Sequence, residues 1–269
     1  MTVVAVIPAR YASTRFPGKA LAAETGKTLI QHVCERVGEC ARIDRTIVAT
    51  DDKRIVEAVR SFGGQAVMTR ADHPTGTDRV AEVAAGLDLA ADDLVLNVQG
   101  DEPEIEPAAL SRLIAAMDDA PDGCRIGTLA APFDDAGPGE GPGSPLDPNA
   151  VKVVVDGGGR ALYFSRSLVP YPRATAGRVD RPSRWLLHLG VYAFRAETLQ
   201  SITGDWLPRC ELEETEGLEQ LRWLAHGLTV GVTVVEHRFV GIDTKEAYAA
   251  FVRRFAGTSR KAEAGIGSK

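Results

Sequence analysis

Short runs of β-branched and apolar residues alternate, along the first half of the chain, with stretches whose apolar positions recur at helical spacing. The runs at 3–7, 46–49, 66–69 and 94–98 are each followed by an amphipathic stretch, at 29–40, 54–62, 79–87 and 108–117. Such repetition predicts βα units and a mainly parallel sheet covered on both faces. The third stretch is the clearest: Val80, Val83, Ala84 and Leu87 stand at i, i+3, i+4 and i+7, one apolar stripe facing a sheet. After the run 125–131 the pattern changes. Residues 132–148 are rich in Gly, Pro and Asp, which predicts a mobile surface loop and no buried element. Runs at 151–155 and 161–164 flank Asp156-Gly157-Gly158-Gly159-Arg160, a hairpin signal that opens a β-rich insertion over about 150–195. Residues 185–194 read as a strand, 211–226 as one long helix, 229–235 as a strand and 245–255 as a closing helix. The pattern predicts a single α/β domain over residues 1–256 and a small, polar, flexible tail over 257–269.

A length of 269 residues with 44% hydrophobic and 25% charged composition permits one sizeable core. Thirty-one basic against 37 acidic residues leave a net charge of -6. That balance argues against a sequence-independent grip on nucleic acid or on an anionic membrane, so any anionic ligand must be held by locally gathered cations. No apolar run approaches the about 20 residues that span a bilayer, and the first lacks a basic leader, so a cytoplasmic protein is expected. Cys34, Cys40, Cys124 and Cys210 show neither CxxC nor Cys/His spacing and read as buried reduced thiols.

In an open α/β sheet, ligands bind outside the carboxyl ends of the strands, so the residues after each apolar run carry the chemistry. The first run empties into Pro8-Ala9-Arg10-Tyr11-Ala12-Ser13-Thr14-Arg15-Phe16-Pro17-Gly18-Lys19. Three cations and two hydroxyls in one loop suit the wrapping of a polyphosphate, although a charged surface loop has the same composition. Neither GxxxxGK[ST] nor GxGxxG occurs, so P-loop hydrolysis and dinucleotide redox chemistry recede. The fourth run ends in Asn97-Val98-Gln99-Gly100-Asp101-Glu102-Pro103, which puts a carboxylate where a hard divalent cation bridging phosphates would find an oxygen. Asp243 is a second such carboxylate, with the alternative that it merely caps the closing helix. Thr77 or Asp78 is expected to cap the third helix, and Arg79 in its first turn opposes the helix dipole, a cost that makes sense if it points at an anion. Arg166, His188, Tyr192, Glu213, Glu216 and Gln220 complete the polar set, and the last three would share one face of a continuous helix.

Seven collinear motifs between residue 3 and about residue 250 carry a resemblance. They are the loop 7–19, of the form PAR-x-x-STR-x-PGK, then Thr75-Gly76-Thr77-Asp78-Arg79, the segment 97–103, and Pro148-Asn149-Ala150-Val151-Lys152-Val153-Val154. Leu162-Tyr163-Phe164-Ser165-Arg166, His188-Leu189-Gly190-Val191-Tyr192 and Leu218-Glu219-Gln220-Leu221-Arg222 follow. Together they resemble the 3-deoxy-manno-octulosonate cytidylyltransferases, or CMP-KDO synthetases. The resemblance implies a nucleotide-diphospho-sugar transferase (GT-A-like) fold with a smaller β-rich part serving sugar binding and dimerisation. It implies a cytoplasmic, Mg²⁺-dependent homodimer that converts CTP and KDO into CMP-KDO and pyrophosphate for lipopolysaccharide or capsule assembly. Carried over residue by residue, it implies catalytic roles for Arg10, Lys19, Asp101 and Asp243, the last two holding Mg²⁺. Ala9, Arg10, Ser13, Arg15, Lys19, Thr75, Arg79 and Asp101 would meet the nucleotide, and Gln99, Arg166, His188, Tyr192, Glu213 and Gln220 the sugar acid. Thr75 stands where the family usually has Ser, and Gly241-Ile242-Asp243-Thr244-Lys245-Glu246 keeps the family's Asp while altering the helix start. Activation of another 2-keto-3-deoxy sugar acid, such as 8-amino-KDO, is the nearest alternative. A catalytically silent binder is opposed by the joint presence of Lys19, Asp101 and Asp243, and a GT-A-like glycosyltransferase by the missing DxD motif at the fourth strand.

Overall fold

The four βα repeats form where the hydrophobic pattern places them. The structure, a computed structural model, describes residues 1–12, 15–120, 123–239 and 241–266; at 205 and 258–266 the description is of the backbone alone. In chain order the repeats are β1 (Val3–Ala9), α1 (Leu29–Gly38), β2 (Arg45–Thr50), α2 (Lys53–Ser61), β3 (Gln65–Met68), α3 (Gly76–Ala85), β4 (Leu94–Asn97) and α4 (Pro107–Asp118). Then follow β5 (Cys124–Pro132), the antiparallel hairpin of β6 (Lys152–Val155) and β7 (Ala161–Ser165), β8 (Leu186–Arg195) and α5 (Ala196–Ser201). The chain continues through α6 (Glu211–Glu216), α7 (Gln220–Ala225), β9 (Thr229–Val234) and α8 (Lys245–Ile266).

The main sheet runs β3-β2-β1-β4-β8-β5-β9. β1 is parallel to β2 and β4, β2 to β3, and β5 to β9, whereas β8 enters antiparallel to both β4 and β5. The expectation that this strand belongs to an insertion is therefore corrected: β8 is central, and only the β6–β7 hairpin stands off the main path. The cause is legible in its period-two burial. Leu189, Val191 and Ala193 enter the core under α1, α2 and α4, while Tyr192 and Phe194 enter the core under α3, α5 and α7. A strand apolar on both faces is stable only inside the sheet.

Three further expectations are corrected. The helix read over 211–226 is two short helices, because Gly217 adopts φ 61° and its N–H closes on the Glu213 carbonyl, a left-handed cap that ends α6. Glu213, Glu216 and Gln220 consequently do not share a continuous helical face. The loop 132–148 lacks regular structure after β5, but Phe133, Ser144 and Pro145 within it are buried. At the C-terminus the backbone stays helical past Gly257 to Ile266. Of the cysteines, Cys40 is buried and the other three are half-buried; all are free, and burial pushes the Cys34 thiol up to about 12.

Parallel pairing brings the strand ends that matter to one edge. Ala9 stands opposite Thr50, and Val6 opposite Asn97, so the segments after β1, β2 and β4 emerge together. The segment entering α8 and the helix itself fold back over this edge through Ile242, Tyr248 and Phe251, which pack with Leu29. Among the described residues no helix is long and apolar enough to cross a membrane.

Candidate functional site

The loop after β1 closes on itself before it reaches Lys19. Gly18 takes φ 72° and donates its N–H to the Tyr11 carbonyl at 2.9 Å, while the Tyr11 ring lies 3.3 Å beneath the Arg54 guanidinium. A Cβ on Gly18 would come within 3.1 Å of that ring. The turn that follows aims Lys19 across the sheet edge at Asp101 and Asp243. Its ammonium is bonded to Asp101 Oδ2, to Asp243 Oδ1 at 3.1 Å and to the Ile242 carbonyl at 3.3 Å. Arg15 reaches the other Asp243 oxygen at 2.9 Å. The Asp243 segment is docked by the Ile242 N–H, which donates to the Asp101 carbonyl at 2.7 Å.

Two residues missed by sequence reasoning explain why this cluster is poised. Thr244, not Asp243, caps α8, its hydroxyl accepting from the Ala247 N–H at 3.2 Å, so Asp243 is free to face the cation. Glu102 lies buried behind the pair with Oε2 unpartnered; burial first, then Asp101 and Asp243, raise its carboxyl well above the ordinary range. Burial also pushes Asp101 up, and Lys19 pulls it part of the way back. For Lys19, burial pulls down, but Asp101 and then Asp243 outweigh it and leave the ammonium raised. Among the described residues no cluster of three or more His, Cys, Asp or Glu is arranged to cage an ion. What the edge offers instead is two carboxylates already gathered around one positive charge, a donor set of hard oxygens that suits a cation completed by water and ligand oxygens.

The remaining nucleotide candidates divide. Arg10 is exposed and tied to the His73 carbonyl at 2.8 Å; Ala9 is buried under Gly100, and Ser13 lies outside the described residues. Thr75 is the N-cap of α3, accepting from the Asp78 N–H, which corrects the expectation of Thr77 or Asp78. Arg79 does point at an anion, but that anion is the protein's own Asp51 at 3.0 Å, with Thr69 as a second partner. Its side chain is fully buried and does not face the Lys19 cluster.

The sugar candidates line the adjoining strands. Gln99 donates to the Gly190 carbonyl at 3.1 Å. His188 Nε2 meets the Thr128 hydroxyl at 3.0 Å, edge-on to Phe164 at 4.9 Å and tilted toward Tyr192 at 5.4 Å. Burial lowers His188 to about 3, so this imidazole is neutral at physiological pH. Tyr192 is buried against Trp223. Arg166 gives its guanidinium to the carbonyls of Glu216, Pro148 and Gly217, at 2.6, 3.0 and 3.4 Å, and so clamps the junction between α6 and α7. Its own carbonyl receives the buried Lys152 ammonium at 2.6 Å, and burial lowers that lysine to about 8. Glu213, within α6, and Gln220, the first residue of α7, are both buried. Beside them a groove of about 880 Å³ runs along α3 from Thr75 to Ala85, walled by Thr203, Trp206 and Leu207. Lys19, Asp101 and Asp243 do not line it.

Comparison with known proteins gives one consistent picture. A family profile described as cytidylyltransferase matches residues 4–230. A 3-deoxy-manno-octulosonate cytidylyltransferase of Syntrophotalea carbinolica is 47% identical over 250 residues, covering 91% of this chain and 95% of that protein. One of Pseudomonas fluorescens is 47% identical over 246 residues, covering 90% and 93%. Among solved structures, a CMP:2-keto-3-deoxy-manno-octonic acid synthetase complexed with CTP superposes with a TM-score of 0.83 at 40% identity, covering 97% of this chain and all of the other. A 4-diphosphocytidyl-2C-methyl-D-erythritol synthase of Anaerococcus prevotii, at 14% identity and a TM-score of 0.60, shares the fold.

Proposed function

The chain belongs to the cytidylyltransferase family, and we propose that it acts as a CMP-KDO synthetase, joining the CMP unit of CTP to KDO with release of pyrophosphate. It is a nucleotidyltransferase by fold and family. The observation that carries the assignment is the Lys19 ammonium shared by Asp101 and Asp243 at the strand edge, beside the Arg10 and Arg15 loop.

In this reaction the anomeric 2-hydroxyl of the sugar acid attacks the α-phosphorus of CTP in line, and the bond to the β-phosphate oxygen breaks. Positioning and charge compensation do most of such work, and no covalent nucleophile is required. Arg10, Arg15 and Lys19 hold the triphosphate, with Lys19 swinging its charge from the two aspartates toward the phosphates. Ala9 and Thr75 lie toward the base, and Arg79 supports that wall through Asp51. Gln99, His188, Tyr192, Glu213 and Gln220 shape the sugar pocket, the neutral imidazole of His188 adding a hydrogen-bonding nitrogen without a charge. Asp101 and Asp243 are the residues that would hold Mg²⁺, which supplies charge neutralisation at the α-phosphate when bound. A homodimer is the assembly expected of the family, and the exposed side chains of Leu162 and Tyr171 on the β-rich part support it.

The test is ³¹P NMR of CTP incubated with KDO and Mg²⁺. A new phosphodiester signal appearing in step with pyrophosphate is expected. CDP and orthophosphate, or an unchanged spectrum, would contradict the assignment. Asp101→Asn should abolish most turnover while leaving the circular dichroism spectrum intact, and near-normal rates at limiting Mg²⁺ would remove Asp101 from the metal role.

A further inference from the structure

One half-buried carboxylate outside the roles above touches residues on both sides of the site. Glu219 lies between α6 and α7 and accepts the Thr77 hydroxyl on Oε2 at 2.6 Å, while its Oε1, 3.0 Å from the Thr75 hydroxyl, shares that proton with Asp78 Oδ2 at 2.6 Å, all at the start of α3. On its other side Arg222 Nη2 donates to Oε1 at 3.1 Å. Arg222 in turn places Nε 3.4 Å from Glu213 Oε2 and donates Nη1 to the Leu207 carbonyl at 3.3 Å. The network also extends toward the substrate edge: Asn97 contacts Thr77 at 3.5 Å, and Gln99 contacts Asn97 at 3.5 Å. Thr77, Asn97, Glu213 and Arg222 are all buried, and burial first, then the charge of Glu219, raises the Tyr192 phenol.

We infer that Glu219 is a positioning residue that fixes the sugar-side helices α6 and α7 against the nucleotide-side helix α3, and so couples occupancy of the two substrate sites. The reason lies in the lengths of the elements. α3 has ten residues, its own N-cap and an apolar stripe in the core, so it holds its place without Glu219. α6 and α7 have six residues each, too short to be stable alone, and they are separated by the left-handed Gly217. Leu221 and Trp223 seat α7 in the core, and Glu219 with Arg222 supplies the polar link that ties this two-helix segment to the start of α3. A nucleotide that orders Thr75 therefore acts on Glu213 through Glu219 and Arg222, and the coupling is reciprocal.

The inference rests on the sugar-side reading of Glu213 and Gln220. It is tested with the isosteric Glu219→Gln and with Arg222→Lys, which keeps the charge but loses the planar fork. KM for KDO and for CTP, kcat, and KDO affinity by calorimetry with and without CTP in Mg²⁺-free buffer are measured on the full chain. In each variant KM for KDO is expected to rise about 10-fold while kcat at saturation changes less than about 3-fold, and the CTP-induced gain in KDO affinity seen for the unaltered protein should fall toward unity. Glu219→Asp, retaining the charge on a shorter arm, should recover part of that gain. Variants that lose kcat and thermal stability while both KM values and the CTP-induced gain stay as in the unaltered protein would overturn the coupling role and leave Glu219 a packing residue. An unaltered protein that neither binds nor turns over KDO would instead overturn the functional reading itself, and the inference with it.

Discussion

Replacing Lys19 by Met removes the one cation that Asp101 and Asp243 share, while keeping most of the side-chain volume. The side chains of Lys19, Asp101 and Asp243 are 16, 23 and 47% exposed, so the cluster stands between the buried and surface limits. Removing one partner of a fully buried pair costs about 3–5 kcal/mol, and an exposed pair contributes about 0–1. An intermediate cost of about 2 kcal/mol is expected, which for a chain of this size lowers Tm by roughly 4–8 °C. The pH dependence supplies the control. Burial raises the folded-state pKa of Asp101, so its ionisation costs stability that is intact below the ordinary carboxylate range and is lost as pH rises through the raised value. Lys19 offsets part of that cost. The gap between Lys19→Met and the unaltered protein should therefore be widest near neutral pH and shrink as the carboxylates protonate toward about pH 4. Thermal unfolding followed by circular dichroism at both pH values, with and without Mg²⁺, measures it, and added Mg²⁺ should restore more stability to the variant than to the parent. Turnover should fall by at least about 100-fold, the scale of one lost charge-stabilising donor. An equal loss of Tm at both pH values would mean that Lys19 acts through packing and not through the two aspartates.

Three further outcomes follow from the same geometry. A Cβ on Gly100 would lie 2.8 Å from the Pro8 carbonyl oxygen, so Gly100→Ala must displace the loop backbone; a loss of about 1–3 kcal/mol in urea unfolding and a raised KM for CTP are expected. Gly217→Ala meets no close neighbour but forces a left-handed alanine, so a loss of about 1 kcal/mol is expected, read by the same method. His188, lowered to about 3 by burial, binds fewer protons folded than unfolded, so it subtracts stability as pH falls below about 6.5. Its ring resonances should not titrate between about pH 5 and 8, and His188→Asn should flatten the acid loss of stability.

The repeating half of the fold was readable because β1 to α4 obey one rule: an apolar run, a polar strand end, then a striped helix. β8 escaped it because a strand buried on both faces carries no alternation to mark its depth, and its place between β4 and β5 is set by partners remote in sequence. The division of α6 from α7 hung on Gly217, whose left-handed cap was signalled only by the glycine itself. At the site, the strand-end rule found Lys19, Asp101 and Asp243, which the structure brings into contact. It could not separate a charge facing substrate from one satisfied internally: Arg79 is held by Asp51, and Arg166 by three carbonyls. Glu102 and Glu219 stood inside quoted motifs, but a carboxylate enclosed wholly or partly by the fold reads in sequence like any exposed one. Only the neighbours that bury them set them apart.

The most direct measurement is pyrophosphate release from CTP with Mg²⁺, comparing KDO, 8-amino-KDO, N-acetylneuraminate and no acceptor. Release that requires KDO, and that is lost in Asp101→Asn and Lys19→Met, is the predicted result. Release driven only by another sugar acid would contradict the KDO assignment while retaining the chemistry, and release with no acceptor, or with none of them, would contradict the account of the site.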